Sequence, residues 1–410
     1  MRRPLLLLPR PLDQFVLGDH ARELVEAGQG AVALAGKVPY GALVRAPGPT
    51  RGGVASMIAR HLTKAVPSDW SADETVIVAY HAIQWPAAMT LLDRGVASEL
   101  WYCRWDRYEA AHDAGKPHQL LGAWHEAMAE RSSLTFAVSG KLAELEQEAG
   151  RDAIVVGLSA DAFPSGPLDP GGRGRGAELV REAKGDAGPP AASGNETAIS
   201  VVDGGTGSEP HAPHERAAAE QAGADSSVAR GDGAAISAAA SPIAVSLGHL
   251  GHRTDWAWLR GAIERLEDLQ LLLIGAWHDD EVDDDPDYRW LRGNPQVVWL
   301  GALDDADAAA VIAEADVGLV PFLVEPFNDA GLPTRILKYA RLGRPTLAPP
   351  LAGARTWERA TTFVEGPGDL ASALRQRAGL RFEPDADLRA WALDQTAARM
   401  NAPLHERLQR

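Results

Sequence analysis

Between residues 242 and 351, short apolar runs alternate with amphipathic segments, and the alternation repeats. Residues 243–247, 269–274, 297–300, 317–320 and 345–348 are apolar runs of strand length, whereas 255–266, 306–314 and 334–342 space their apolar positions at the helical period. Strands covered on both faces read as continuous apolar runs, and the helices between them supply the cover. The pattern predicts a Rossmann-like α/β domain over residues 241–384.

The N-terminal part carries the same signature less clearly. Residues 4–8, 75–80, 100–103, 135–138 and 153–156 read as strands, with weaker strands at 31–34 and 41–44. Helices are expected near 19–26, 56–65, 120–131 and 141–148, which gives a first Rossmann-like domain over 1–164. Ligands of open α/β sheets bind beyond the carboxyl ends of the strands. Three features sit there: the loop 9–14, His81 after the strand TVIVAY, and Asp106 after the strand ending at Cys103. His81 is read either as a hydrogen-bonding partner of a sugar or attacking hydroxyl, or as a histidine satisfied within the fold. Asp106 is read either as a group orienting a hydroxyl or as a cap for the following helix.

Residues 165–240 contain no Phe, Trp or Tyr and few long aliphatics. Such a stretch buries too little surface to offset chain entropy, so a disordered insertion is expected between the domains. Asn195-Glu-Thr197 matches a glycosylation sequon, which is read as accidental without an export signal. From 385 to 410 the chain is helical again, with Leu388, Trp391, Ala392 and Ala397 on one face.

Composition narrows the partners. A formal net charge of −16 argues against nucleic acid, which needs a broad basic face. The single cysteine, Cys103, excludes an intrachain disulfide and fits a reducing compartment. The leucine run at 5–8 is stopped by Pro9, Arg10 and Pro11, and no apolar run approaches the ~20 residues that span a bilayer. A cytoplasmic protein is expected, compatible with a membrane-associated substrate at the inner face. The oligomeric state stays open.

The candidate chemistry concentrates on the second domain. Gly248, Gly251, His252 and Arg253 lie between a strand and a helix, where backbone amides and the helix N-terminus attract phosphate. Arg335 follows Pro333 in the opening turn of a helix, and a guanidinium there can hold a diphosphate bidentately. Arg335 and Lys338 are otherwise solvent-facing charges, and Glu325 and Asp329 either bind ribose or sugar hydroxyls or line a loop. The acidic run DDEVDDD at 279–285 is read as solvated, with no histidine at a metal-binding spacing and no metal site expected. No HExxH, P-loop, GxSxG or cysteine-based zinc pattern is present. The implied reaction is displacement at an anomeric carbon with a nucleoside diphosphate leaving, which needs positive charge where negative charge develops.

With these residues in place, the second half resembles the two-domain GT-B glycosyltransferases of family 4, in particular their bacterial cell-surface-polysaccharide (teichuronic-acid-type) branch. The resemblance rests on SLGHLGHRTDW (246–256), LLLIG (271–275), VVWLGAL (297–303), ADVGLVPF (315–322) and the run from Asn328 through Pro333, Arg335, Tyr339, Gly343 and Pro345. It extends loosely to VIVAYHA, WYCRWDRY, VSGKL and GLSADAF in the first half.

The resemblance implies two domains facing across a cleft, and a nucleotide-sugar donor, UDP- or GDP-linked. It also implies a saccharide or lipid-linked acceptor, retention of anomeric configuration and no cofactor. Gly251 and Arg253 would approach the donor diphosphate with Arg335, Phe322 would lie near the base, and His81 would face the reacting sugar. The last helix, 387–400, would cross back to the first domain. Two positions depart from the family pattern: Ala330 and Lys338 stand where a pair of acids is usual. Lysine cannot accept hydrogen bonds from hydroxyls, though it can meet phosphate. A noncatalytic sugar-nucleotide-binding protein on the same fold is the alternative expectation.

Overall fold

The structure, a computed structural model, describes residues 2–27, 30–110, 116–165, 170–185, 241–276 and 278–410. Its framework is two six-stranded sheets. The first contains β1 (Arg3–Leu8), β2 (Ala31–Leu34), β3 (Thr75–Ala79), β4 (Glu99–Arg104), β5 (Leu134–Ala137) and β6 (Ala153–Val155). The second contains β7 (Ile243–Leu247), β8 (Gln270–Ile274), β9 (Val297–Gly301), β10 (Val317–Leu319), β11 (Thr346–Ala348) and β12 (Thr361–Phe363). All pairings are parallel. Helices on both faces explain why Leu5 to Leu8 show no exposed surface: successive side chains point to opposite faces and both are covered.

Strand order fixes where a ligand can sit. The first sheet runs β2-β1-β3-β4-β5-β6 and the second β12-β11-β10-β7-β8-β9. The order reverses between β1 and β3 in one, and between β7 and β10 in the other. Chains leaving those neighbouring strands diverge to opposite faces and leave a crevice at their carboxyl ends. In the second sheet Tyr339 ties this point together. Its hydroxyl accepts from Leu247 N at 2.7 Å and donates to the Leu319 carbonyl at 3.2 Å. The ring fits because position 318 is glycine; a Cβ there would lie 2.0 Å from it.

The domains pack directly against one another. A single apolar cluster includes Leu6, Tyr80 and Phe136 from the first and Val320, Ile336 and Leu351 from the second. Ser139, the N-cap of the helix Gly140–Glu148, also donates its hydroxyl to the Ala330 carbonyl at 2.6 Å. Arg341 reaches back to the carbonyls of Phe163 and Asp161. The C-terminal helix Ala397–Gln409 packs on the helix Gly18–Glu26, where Asn401 bonds His20 at 2.9 Å and His405 meets Glu23 at 3.0 Å.

Three expectations need correction or extension. Residues 41–45 form a helix rather than a strand, because the turn at Pro39–Tyr40 starts helical hydrogen bonds to Ala42 and Leu43, and Leu43 alone turns inward. The strand β12, Thr-Thr-Phe, is too short and polar to register as an apolar run. The insertion expected to be disordered over 165–240 contains a helix, Pro170–Gly185, against the helix Asp305–Ala313. Its glycines allow close packing: a Cβ on Gly176 would stand 2.3 Å from the Ala310 carbonyl. Leu179, Val180 and Ala183 join the core, and Arg175 pairs with Asp307. Residues 186–240 lie outside the described residues. Among the described residues no helix is long and apolar enough to cross a membrane.

This packing generates a test. Gly176→Leu must push the two helices apart and should destabilise by about 1–3 kcal/mol. Replacing residues 186–240 with a Gly/Ser linker should leave the melting temperature within a few degrees. Calorimetry of both variants checks the contrast, and a silent Gly176→Leu would remove the helix from the core.

Candidate functional site

Of the polar residues singled out from the sequence, the crevice at the two strand-order reversals brings together Asp106, Arg253, Asn328 and Arg335. From the second domain come the loop after β7 and the segment after β10, stitched together by backbone bonds from Asp255 N to the Pro321 carbonyl and from Leu323 N to the Arg253 carbonyl. From the first come Trp105 and Asp106, after β4. Trp105, Asp106, Arg253, Phe322, Asn328 and Arg335 face one cavity of about 170 Å³. A wider space of about 420 Å³ adjoins it between the loop after β1 and residues Thr334 and Lys338.

Two guanidinium groups form the floor. Arg253 and Arg335 lie 5.0 and 4.7 Å from the centroid of Phe322, and Arg253 also lies 4.7 Å from Phe327. Asn328, buried, fixes Arg253 by accepting from its Nε at 2.7 Å. The Asn328 amide in turn donates to the Leu323 carbonyl and to Glu325 at 3.0 Å each. Arg335 differs: its Nη1 is buried with no hydrogen-bond partner. Burial lowers its pKa to about 10, opposed by Tyr339 and helped to a lesser degree by the nearby Arg253. It remains protonated at neutral pH. A buried cation with an unpaired N–H is costly unless an anion completes it.

The glycine that lets Arg335 lie there is Gly248, not Gly251. Gly248 has φ +124°, and a Cβ on it would fall 2.5 Å from Arg335 Nη2. Gly275, φ +142°, passes under it so closely that a Cβ would meet the Gly248 carbonyl at 1.9 Å. Gly251 instead abuts Glu281 and His249.

Across the cavity, burial raises the Asp106 pKa to about 6 even though Arg253 pulls it down. Its carboxylate would stand 3.8 Å from a Cβ on Gly331, so it faces the second domain. His81 is buried against Trp105 and Tyr108, with ring centroids 5.7 and 5.0 Å away. Its Nδ1 accepts from Ile83 N at 2.9 Å, and Gln84 returns the cap by accepting from Tyr80 N and His81 N. Burial, with Arg10 nearby, drives its pKa to about 3. The ring is therefore neutral with its proton on Nε2, a hydrogen-bond donor rather than a base.

Other sequence candidates sit elsewhere. Asp329 accepts from Ala352 N at 2.8 Å and serves the fold. Lys338 pairs with Asp305 at 2.9 Å and lies over Phe163, in the wider space and away from the cavity that Arg335 lines. Ala330 is fully buried, with its carbonyl taken by Ser139.

His252 is turned toward Glu281, with Nδ1 2.7 Å from Oε2. Here the reading of 279–285 as a solvated run without histidines is corrected. Glu281 gathers His249 Nε2 at 3.1 Å, His252, and His278 with Nδ1 at 3.8 Å. Burial acts to raise the Glu281 pKa, but the hydrogen bonds from His249 and His252 outweigh it and hold the carboxylate well below its ordinary value. The His-x-x-His and His-x-x-Glu spacings were the available signals, and three-dimensional neighbourhood was needed to join them.

Two facing Rossmann-like domains with a crevice at both reversals define the GT-B glycosyltransferase fold, and this chain has it. Residues 241–378 match the family model described as glycosyl transferases group 1. Over 123 residues the chain is 21% identical to TuaH of Bacillus subtilis (strain 168), named as a candidate teichuronic acid biosynthesis glycosyltransferase; that match covers 30% of this chain and only 30% of TuaH. Anabaena HepE, solved with UDP and glucose, superposes with a TM-score of 0.60 at 13% identity, covering 100% of both chains. The trehalose 6-phosphate synthase of Burkholderia multivorans superposes with a TM-score of 0.62 at 12% identity, covering 100% of this chain and 96% of that one. A lipopolysaccharide outer core galactosyltransferase, WaaB, gives a TM-score of 0.53 at 10% identity, covering 99% and 100%.

The electrostatics of Asp106 are measurable without any ligand. A carboxyl whose pKa rises from 3.8 to about 6 on folding binds more protons folded than unfolded. Stability therefore falls as pH rises through that window and is level above it. Wild type should lose up to about 2 kcal/mol relative to Asp106→Asn between pH 4 and 6 in urea titrations. Parallel profiles would mean that the carboxylate is solvated.

Proposed function

We propose that the chain transfers a sugar from a nucleoside-diphosphate sugar to an acceptor hydroxyl. The observation that carries this reading is the buried, unpaired guanidinium edge of Arg335 beside Arg253, at the carboxyl end of β7 and β10. A leaving diphosphate gains negative charge in the transition state, and two fixed guanidiniums oppose that charge without reorganising. The Phe322 ring contacts both cations. Asp106 orients the acceptor hydroxyl and, ionised above pH 6, takes up its proton. His81 donates from Nε2 to a sugar hydroxyl. The match of residues 241–378 to the glycosyl transferases group 1 model supports the class.

Finer features belong to the same proposal. The acceptor is a saccharide or lipid-linked saccharide of the cell surface, in keeping with the TuaH match. The configuration is retained, in line with the family-4 resemblance. The diphosphate is neutralised by Arg253 and Arg335 rather than by magnesium, and the work is done in the cytoplasm. A second reading, sugar-nucleotide binding without turnover, draws on buried Ala330 and on Lys338, whose ammonium is held by Asp305. A donor-hydrolysis assay beside calorimetric binding separates the two, since binding with no turnover favours the second.

Arg335→Ala should weaken binding of UDP or GDP by about ten- to a hundredfold, the worth of a charge-assisted pair, while nucleoside binding stays unchanged. Arg335→Lys should recover only part, because a point charge cannot reproduce the planar fork. Equal affinities of Arg335→Ala and wild type would take Arg335 out of the site.

Adding magnesium to dialysed protein should change nucleoside diphosphate affinity by less than about tenfold, or roughly 1.4 kcal/mol. A larger gain would assign the neutralising charge to the metal.

A further inference from the structure

Beside the cleft, the segments leaving β7 and β8 are joined by backbone bonds from Leu250 N to the Ala276 carbonyl, 3.2 Å, and from His278 N to the Leu250 carbonyl, 3.1 Å. This pairing sets His249 on one segment next to His278 on the other, with ring centroids 4.4 Å apart. Glu281 follows one turn after His278 in the short helix Asp279–Val282. One potential ligand atom from each of His249, His278 and Glu281 lies within 4.8 Å of the other two. From these positions we infer that His249, His278 and Glu281 form a binding site for a divalent metal ion of the zinc class.

Donor chemistry selects the ion. Two imidazoles and one carboxylate suit zinc and its borderline neighbours, whereas magnesium and calcium take oxygen donors. Bonds of about 2.0–2.1 Å in a tetrahedral site put ligand atoms roughly 3.3 Å apart. The two carboxylate oxygens of Glu281 lie at comparable distances from the imidazoles: Oε2 is 3.1 Å from His249 Nε2, and Oε1 is 3.8 Å from His278 Nδ1. Hydrogen bonding alone does not account for His278. At 3.8 Å its Nδ1 is beyond hydrogen-bond reach of Glu281, and its Nε2 is buried without a partner. His252 has a different part. Its Nδ1 at 2.7 Å and its backbone N at 3.2 Å both address Glu281 Oε2 and orient the carboxylate.

Three protein ligands leave a coordination position open. Glu281 also lines an acidic cavity of about 340 Å³ together with His252 and Asp283–Asp285. The bound ion clips the loop that carries Arg253 to the end of β8. This inference does not depend on what the cleft binds.

The test uses the full chain without nucleotide. Protein stripped of metal should bind one equivalent of zinc in calorimetry. Its cobalt form should show the visible absorption of a low-symmetry, nitrogen- and oxygen-ligated ion. His278→Ala and Glu281→Gln should each weaken zinc binding by at least about a hundredfold, beyond the range set by losing a residue that only orients a ligand. Circular dichroism checks that both variants are folded, and the wild-type cobalt spectrum stands even if one is not. No saturable one-to-one binding, a cobalt spectrum like that of the free aqueous ion, or equal zinc affinity in folded His278→Ala would overturn the site. Glu281, His249 and His252 would then be a hydrogen-bonded tie between two loops, with His278 merely packed beside them.

Discussion

The cost of holding two cations under cover at one spot shapes this molecule. Arg253 and Arg335 both lie over the ring of Phe322, and burial lowers the pKa of each. Such an arrangement persists only when surrounding structure over-determines it. Asn328 restrains Arg253, Gly248 opens the room for Arg335, and Gly275 lets the backbone of Gly248 come close. Tyr339, one turn along the helix from Arg335, locks that helix to β7 and β10 through a single hydroxyl. The charge is thus set in place by backbone geometry before any ligand arrives, which is how preorganised sites gain strength.

The opposite wall is tuned by the same physics. Asp106 lines the cavity and His81 is packed behind it against Trp105; burial pushes both toward their neutral forms, one upward to about 6 and the other downward to about 3. One group can change charge near physiological pH and the other cannot. A wall with a single titratable member facing a permanently cationic floor is asymmetric, and this asymmetry separates proton handling from charge neutralisation.

Much of this architecture could be read from the chain because doubly covered parallel strands leave uninterrupted apolar runs, as at 5–8, 76–79 and 271–274. Arg253, Phe322 and Arg335 were legible because they directly follow such runs or open the next helix. The helix Pro170–Gly185 was hidden by its glycines, whose merit is close approach to Ala310 rather than helical propensity. Gly251 was preferred to Gly248 because sequence does not reveal which glycine a guanidinium lies over. The histidines around Glu281 were missed for a related reason: adjacent strands bring together two segments about 30 residues apart, and that adjacency is a property of sheet order.

The return of the chain to its first domain has a structural consequence. The helix Ala397–Gln409 lies against Gly18–Glu26, and Arg2 N bonds the Leu408 carbonyl at 2.8 Å. The second domain is therefore tethered to the first by two covalent spans, one leaving after β6 and one returning through residues 380–397. The C-terminal helix thus counts as part of the first domain's fold although the sequence places it after the second: Asn401 and His405 are the groups that take up His20 and Glu23. Disrupting this last segment would uncover the first domain rather than the second, so the distal end of the sequence guards the integrity of its proximal half.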